Sequence, residues 1–150
     1  MITWVLAGLH LIALAIGLPA VRARAKALRG PLDAEGQARV LAADTWWGVA
    51  AGLWITTGLV RAFGPFEKGA DYYLHNYLFH AKLGFLVLIL ALEIAPMIAL
   101  IVWRIRRKKG EPIDTRRARF FAMTSDVQLL LVLGMVIAAT GMARGFGVMR

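Results

Sequence analysis

The sequence predicts an all-α integral membrane protein: a four-helix transmembrane bundle with both chain ends on the non-cytoplasmic side. Three observations lead there. Hydrophobic residues make up 59% of the 150 residues and mean hydropathy is +0.64, whereas an ordinary globular domain is about 45–50% apolar. A soluble chain of this size buries only about two-thirds of what its unfolded form exposes, so this much apolar surface calls for lipid as solvent. That excludes intrinsic disorder and a soluble enzyme. Second, the apolar residues gather into four runs close to the ~20 residues that cross a bilayer. Third, the basic residues are segregated into two of the three connections between those runs.

The runs cover residues 2–20, 40–60, 72–103 and 120–143. Inside lipid every backbone polar group must be satisfied within its own segment, so each run is read as a helix. In the first run the positive charge follows the apolar stretch. A signal peptide carries its charge in front, so residues 2–20 are read as helix one. The third run is too long for a straight perpendicular span and is expected to tilt, or to bend near Pro96. Gly30-Pro31 and Gly110-Glu111-Pro112 read as turns in the first and third connections. With no cysteine, disulfides, thiolate metal sites and thiol catalysis are excluded.

The first connection, residues 21–39, holds Arg22, Arg24, Lys26, Arg29 and Arg39. The third, residues 104–119, holds eight more basic residues, so the two together carry thirteen of the eighteen. The second has only Arg61 and Lys68, balanced by Glu67 and Asp71. Cytoplasmic loops carry the Lys/Arg excess, which places the first and third connections inside and both termini outside. A net charge of +9 would suggest nucleic acid in a soluble protein. Here it reads as juxtamembrane charge facing anionic lipid, with the bilayer as partner and no nucleic acid.

Ionisable groups within a membrane are costly and by default mark a site. The chain places His10, Asp44, His75, His80, Lys82, Glu93 and Asp126 in or near its spans. His10 and His80 each lie seven residues in from Thr3 and Tyr73, a depth of roughly 10 Å. Two imidazoles at matched depth in a bundle suit the two axial positions of one haem iron. Ala7, Ala13, Gly17 and Gly84 leave room for a macrocycle, or equally allow close helix packing. Arg61 and Arg144, at the outer ends of helices two and four, are the expected partners of its propionates.

Helix three carries a conflict. His75, Lys82 and Glu93 fall within about 40° of one another, and His80 lies on the other side. Either one set faces a cleft or a partner subunit, or the helix bends. A homo-oligomer burying the second face is the expectation. Asp44, Glu93 and Asp126 lie in the cytoplasmic half. They either pair with the loop arginines or form a proton or substrate site. Trp46 and Trp47 read as interfacial belt residues, and Trp54 as belt or as a stacking surface.

Phe79-His80-Ala81-Lys82-Leu83, ahead of an apolar run, resembles the third-helix motif of the HemJ-type protoporphyrinogen oxidases. Leu9-His10 resembles that family's Leu-His in helix one, and Leu18-Pro19 its Leu-Pro at the same helix end. Arg119-Phe120-Phe121 followed by Ser125-Asp126 resembles the start of its fourth helix. With Asp44-Thr45-Trp46-Trp47 and the stretch 72–80, the whole chain is also similar to an uncharacterised family of predicted bacterial membrane proteins. The HemJ resemblance implies a four-helix protein of the bacterial inner membrane that binds haem b. It implies His10 as ligand, with His80 and Lys82 functional. The expectation is a haem-b redox protein that oxidises a porphyrinogen-like or other small reductant and passes electrons to quinone. Lys82 and Asp126 are its candidate catalytic groups, and His10 and His80 its iron ligands. The alternative is a non-enzymatic membrane protein that binds lipid, metal or a partner without haem.

Overall fold

A computed structural model describes residues 2–64 and 70–149. They form four long helices and one short one: α1 (Ile2–Arg29), α2 (Ala34–Phe63), α3 (Ala70–Leu74), α4 (Tyr77–Lys109) and α5 (Ala118–Ala143). Three of them, α1, α4 and α5, are long and apolar enough to cross a membrane. The 30-residue α2 is as long, but Asp44 and the polar-aromatic stretch after it dilute its apolar run.

The helices outrun the apolar segments. Residues 21–29, read from charge as connection, continue α1 for two and a half further turns. Nothing there breaks a helix: Arg, Ala, Lys and Leu are all strong helix formers. The break comes at Gly30-Pro31, and Asp33 then caps α2 by accepting from the Gly36 amide at 2.8 Å. Gly36 has to be glycine, because a Cβ there would lie 1.9 Å from the Pro31 carbonyl oxygen. The long third run is likewise divided, at His75-Asn76 and not at Pro96, which lies inside α4. At its far end α4 runs on through four basic residues to Gly110, whose φ of 69° closes it. Cations there suit the negative end of the helix dipole.

The connection from residue 110 to 117 carries Asp114. The Arg116 guanidinium beside it holds its carboxyl at about 2, against an ordinary 3.8. A depressed carboxylate pKa contributes stability above the ordinary value and loses it as pH falls through the folded one. Arg116→Ala is therefore expected to return the Asp114 carboxyl to the ordinary range, read from its carbon NMR shift.

α1 packs against both α2 and α5, and α4 packs against α5 and touches α2, so the four long helices close around a common core. The core is stacked in three layers. Leu28, Leu100, Trp103 and Phe121 form one end. Val21, Trp47, Ile89 and Val132 form the middle, and Ala62, Tyr73, Phe79 and Met142 the other end. Large apolar side chains such as Leu11, Val87, Leu130 and Ile137 point outward, as the surface of a protein solvated by lipid does.

The C-terminal residues form a strap over the start of α4. Tyr77 donates its amide to Gly147, Met149 donates to His75, and the buried Asn76 side chain donates to Phe146 and caps Leu78. Gly147 has φ 88°, and a Cβ on it would lie 2.6 Å from Asn76 Oδ1. Gly147→Ala is expected to lower stability by about 1–3 kcal/mol, the range for strained backbone positions, and to expose the tail to protease. Gly145, φ 84° but in open space, should cost less when changed to alanine.

Candidate functional site

The bundle holds two polar regions. The inner one gathers Asp44 and Glu93, two of the three carboxylates singled out in the sequence, around an arginine of the first basic stretch. Arg24, on the buried stripe of α1, is 0% exposed. All five of its guanidinium N–H groups are used. Nε donates to Ser125 at 3.0 Å; Nη1 to Asp44 at 2.9 Å and Glu93 at 2.7 Å; Nη2 to Glu93 at 2.8 Å and Gln128 at 2.8 Å. Glu93 accepts further bonds from the Trp47 indole and from Gln128. The second oxygen of Asp44 accepts from Arg104 at 2.7 Å.

Each long helix contributes, and two guanidinium groups face two carboxylates. A buried charge is tolerable only when paired and fully hydrogen-bonded, and this cluster meets that condition. It has the character of a fastening among α1, α2, α4 and α5. The signal in the sequence was a run with no helix breaker, three carboxylates in the same half, and Ser125 and Gln128 inside an apolar segment.

The pairing expected of Asp44, Glu93 and Asp126 is found, with arginines on helices instead of in loops. Asp44 takes Arg24 and Arg104, while Asp126 takes Arg29 and, at 3.6 Å, Arg22 on the flank of α1. Asp126, the candidate catalytic carboxylate, therefore lies outside the buried cluster and is partly exposed.

The outer region is a cavity of about 420 Å³ lined by His10, Trp54, Arg61, Tyr72, Tyr73 and Lys82 together with apolar residues of α5. His10 is held from behind. Its Nδ1 lies 2.8 Å from the Thr57 hydroxyl, and Thr57 gives its own proton to the Leu53 carbonyl at 2.7 Å. The hydroxyl oxygen therefore accepts from His10 Nδ1–H, which in the neutral ring puts the lone pair on Nε2. The imidazole packs over Gly58, where a Cβ would come within 3.2 Å of it, and lies 5.6 Å from the Trp54 ring. The Trp54 indole N–H is buried and has no hydrogen-bond partner among the described residues.

The two faces of the third apolar segment are sorted by the structure. Lys82 and Glu93 face the bundle, one in the outer cavity and the other in the arginine cluster. His75 precedes α4 and bonds with Asp71. His80 faces away: it is exposed, and its Nε2 donates to the Leu74 carbonyl at 2.9 Å. His10 and His80 are not brought together: His10 lines the outer cavity and His80 does not. His80 meets a polar partner within the chain. Arg61 lines the cavity, and Arg144 is exposed just past α5, outside the lining set. Among the described residues no three His, Asp or Glu side chains gather to hold a metal ion. The middle apolar layer separates the cavity from the Arg24 cluster.

A family described as predicted membrane protein (DUF2214) matches residues 2–147. The chain belongs to this family. No curated protein and no solved structure matches it. The match spans both polar regions and agrees with the expected kinship to an uncharacterised membrane-protein family. With three helices apolar enough to cross a bilayer, the chain is a multi-pass membrane protein.

Proposed function

We propose that this family member crosses a bacterial inner membrane four times, with α2 as the fourth span, and binds haem b in the outer cavity as a redox protein. The observation that carries this reading is the His10–Thr57 pair. A metal-binding imidazole needs its other nitrogen anchored as a donor, and Thr57 holds Nδ1 in that way. The surroundings fit the group. Arg61 and Lys82 bring two cations to the cavity, the first able to grip a carboxylate with two parallel bonds. Trp54 offers an aromatic face and a buried donor. The cavity, about 420 Å³ and partly open, is within the range of small-molecule sites and would enclose part of the macrocycle, the rest projecting through its open side. The resemblance of Leu9-His10 and Phe79–Leu83 to HemJ-type oxidases points the same way.

Bound haem would supply one-electron chemistry, taking electrons from a small reductant and giving them to quinone. The chain's own residues divide the rest. His10 presents Nε2 while Thr57 retains the Nδ1 proton. Arg61 and Lys82 neutralise acidic substituents and orient them. Lys82 is also placed to hold a proton at the cavity wall. The middle apolar layer keeps protons and water on the outer side.

A second reading rests on the placement of His80. With one imidazole in the cavity beside two cations, the site also suits an organic anion without metal, in a non-enzymatic protein. The absorption spectrum of the chain purified with haem supplied separates the two: a Soret band supports the first, and its absence the second. The orientation has its own test. A reporter active only in the cytoplasm is expected to be silent at the C-terminus and active when inserted at Glu111. Activity at the C-terminus would reverse the assignment.

A further inference from the structure

A trough of about 800 Å³ lies on the outside of the bundle between α1 and α2, beside the Gly30-Pro31 turn. Its floor and walls are Pro19 and Ala23 of α1 and Ala42 and Trp46 of α2, with Lys26 and Arg39 from the two helices along it. Small side chains here leave a channel between two helices that otherwise pack closely. Lys26 forms no ion pair among the described residues, and Arg39 has only the exposed Glu35. We propose that this trough binds an anionic phospholipid, with an acyl chain along the alanines and the phosphate between Lys26 and Arg39.

Charge selects this occupant. Two basic side chains from separate helices converge on an apolar trough, at the end of the protein that gathers thirteen of its eighteen Lys and Arg residues. Basic pockets between transmembrane helices suit anionic headgroups. A second copy of the chain would set the same cations against one another, on a protein whose net charge is already +9. An uncharged lipid would leave both cations unanswered. Trp46, 57% exposed, stands where an indole sits at the level of the headgroups. The site is separate from the His10 cavity and stands whether or not haem binds there.

The test is retention of lipid by the purified chain. The chain is exchanged into micelles with phosphatidylglycerol, phosphatidylcholine, or inorganic phosphate plus phosphatidylcholine. Bound lipid is then counted by native mass spectrometry. Phosphatidylglycerol is expected to remain on the chain at one per copy and to raise the unfolding temperature. Phosphatidylcholine, with or without free phosphate, should do neither. Lys26→Gln should weaken retention about fivefold, the factor for about 1 kcal/mol per basic residue at an anionic surface. Ala23→Phe, at an exposed position that the fold does not need, should abolish it by filling the trough. Equal retention of both lipids, or retention by Ala23→Phe, would overturn the proposal. So would a crosslinked dimer from Ala23→Cys in lipid, since the cysteine-free chain offers no other thiol.

Discussion

Arg24→Met is expected to destabilise the chain by about 3–5 kcal/mol, the loss that follows when one partner of a buried ion pair is removed. The expected drop is in the unfolding midpoint of the protein in a nanodisc. The residue makes five hydrogen bonds, and its removal leaves the Glu93 carboxyl in the middle of the bundle with Trp47 and Gln128 as its remaining donors among the described residues. Asp44 keeps Arg104 and is less exposed to the change. Arg24→Lys should recover little. One ammonium with three donors cannot reach Ser125, Asp44, Glu93 and Gln128, which surround a planar fork. The double variant Arg24→Met with Glu93→Met should recover most of the loss, because the leftover buried charge is the main penalty. An unchanged midpoint for Arg24→Met would show that the cluster does not fasten the helices. A double variant as unstable as the single would place the penalty in lost packing instead.

What the sequence revealed, and what it hid, follows from the kind of signal each feature leaves. Apolarity summed over twenty residues is robust, and the helices do lie over the four apolar runs. Charge is a poor guide to where a helix stops. By charge alone Arg22, Arg24, Lys26 and Arg29 look alike and read together as connection, yet they continue one helix and face different ways. Arg24 falls on the stripe of Ala13, Gly17, Ala20, Val21 and Leu28, at the spacing that keeps residues on one face. Arg22 and Arg29 fall beside it and meet Asp126. The stripe was present in the sequence; extending it past the first arginine would have found the buried cation.

The same distinction explains the histidines. Depth along a helix is fixed by rise per residue, so His10 and His80 could be matched in level from sequence. Facing is fixed by rotation. The two residues from His80 to Lys82 turn the helix by about 200°, while the eleven from Lys82 to Glu93 return to within about 20° of the same face. Lys82 and Glu93 are therefore one face and His80 the other. The choice between them depended on Arg24, the cation that draws Glu93 inward. Thr57 leaves little signal in the sequence, because a threonine in an apolar helix usually bonds back to its own backbone. It does so here, and in doing so fixes the tautomer of His10.

His10→Ala, purified with haem supplied, is expected to lose most of the Soret absorbance that the proposed function assigns to the unaltered chain. His10 is the one histidine lining the outer cavity among the described residues, so no neighbouring imidazole replaces it. His80→Ala should leave band position and haem content unchanged, since His80 is exposed and tied to the Leu74 carbonyl. Thr57→Val preserves the shape of the site and removes the acceptor of the His10 Nδ1 proton. Loss of such an orienting partner typically weakens metal affinity 10–100-fold, so this variant should bind haem with correspondingly lower affinity while its unfolding midpoint moves little. Lys82→Gln should weaken binding less and leave the ligand field, and therefore the band position, as it was. If His80→Ala loses the band and His10→Ala keeps it, the ligand is on the outer face of α4 and the cavity is not the haem site. If His10→Ala and His80→Ala each lose half, both imidazoles ligate, and the bundle must close differently around the cofactor to bring them together.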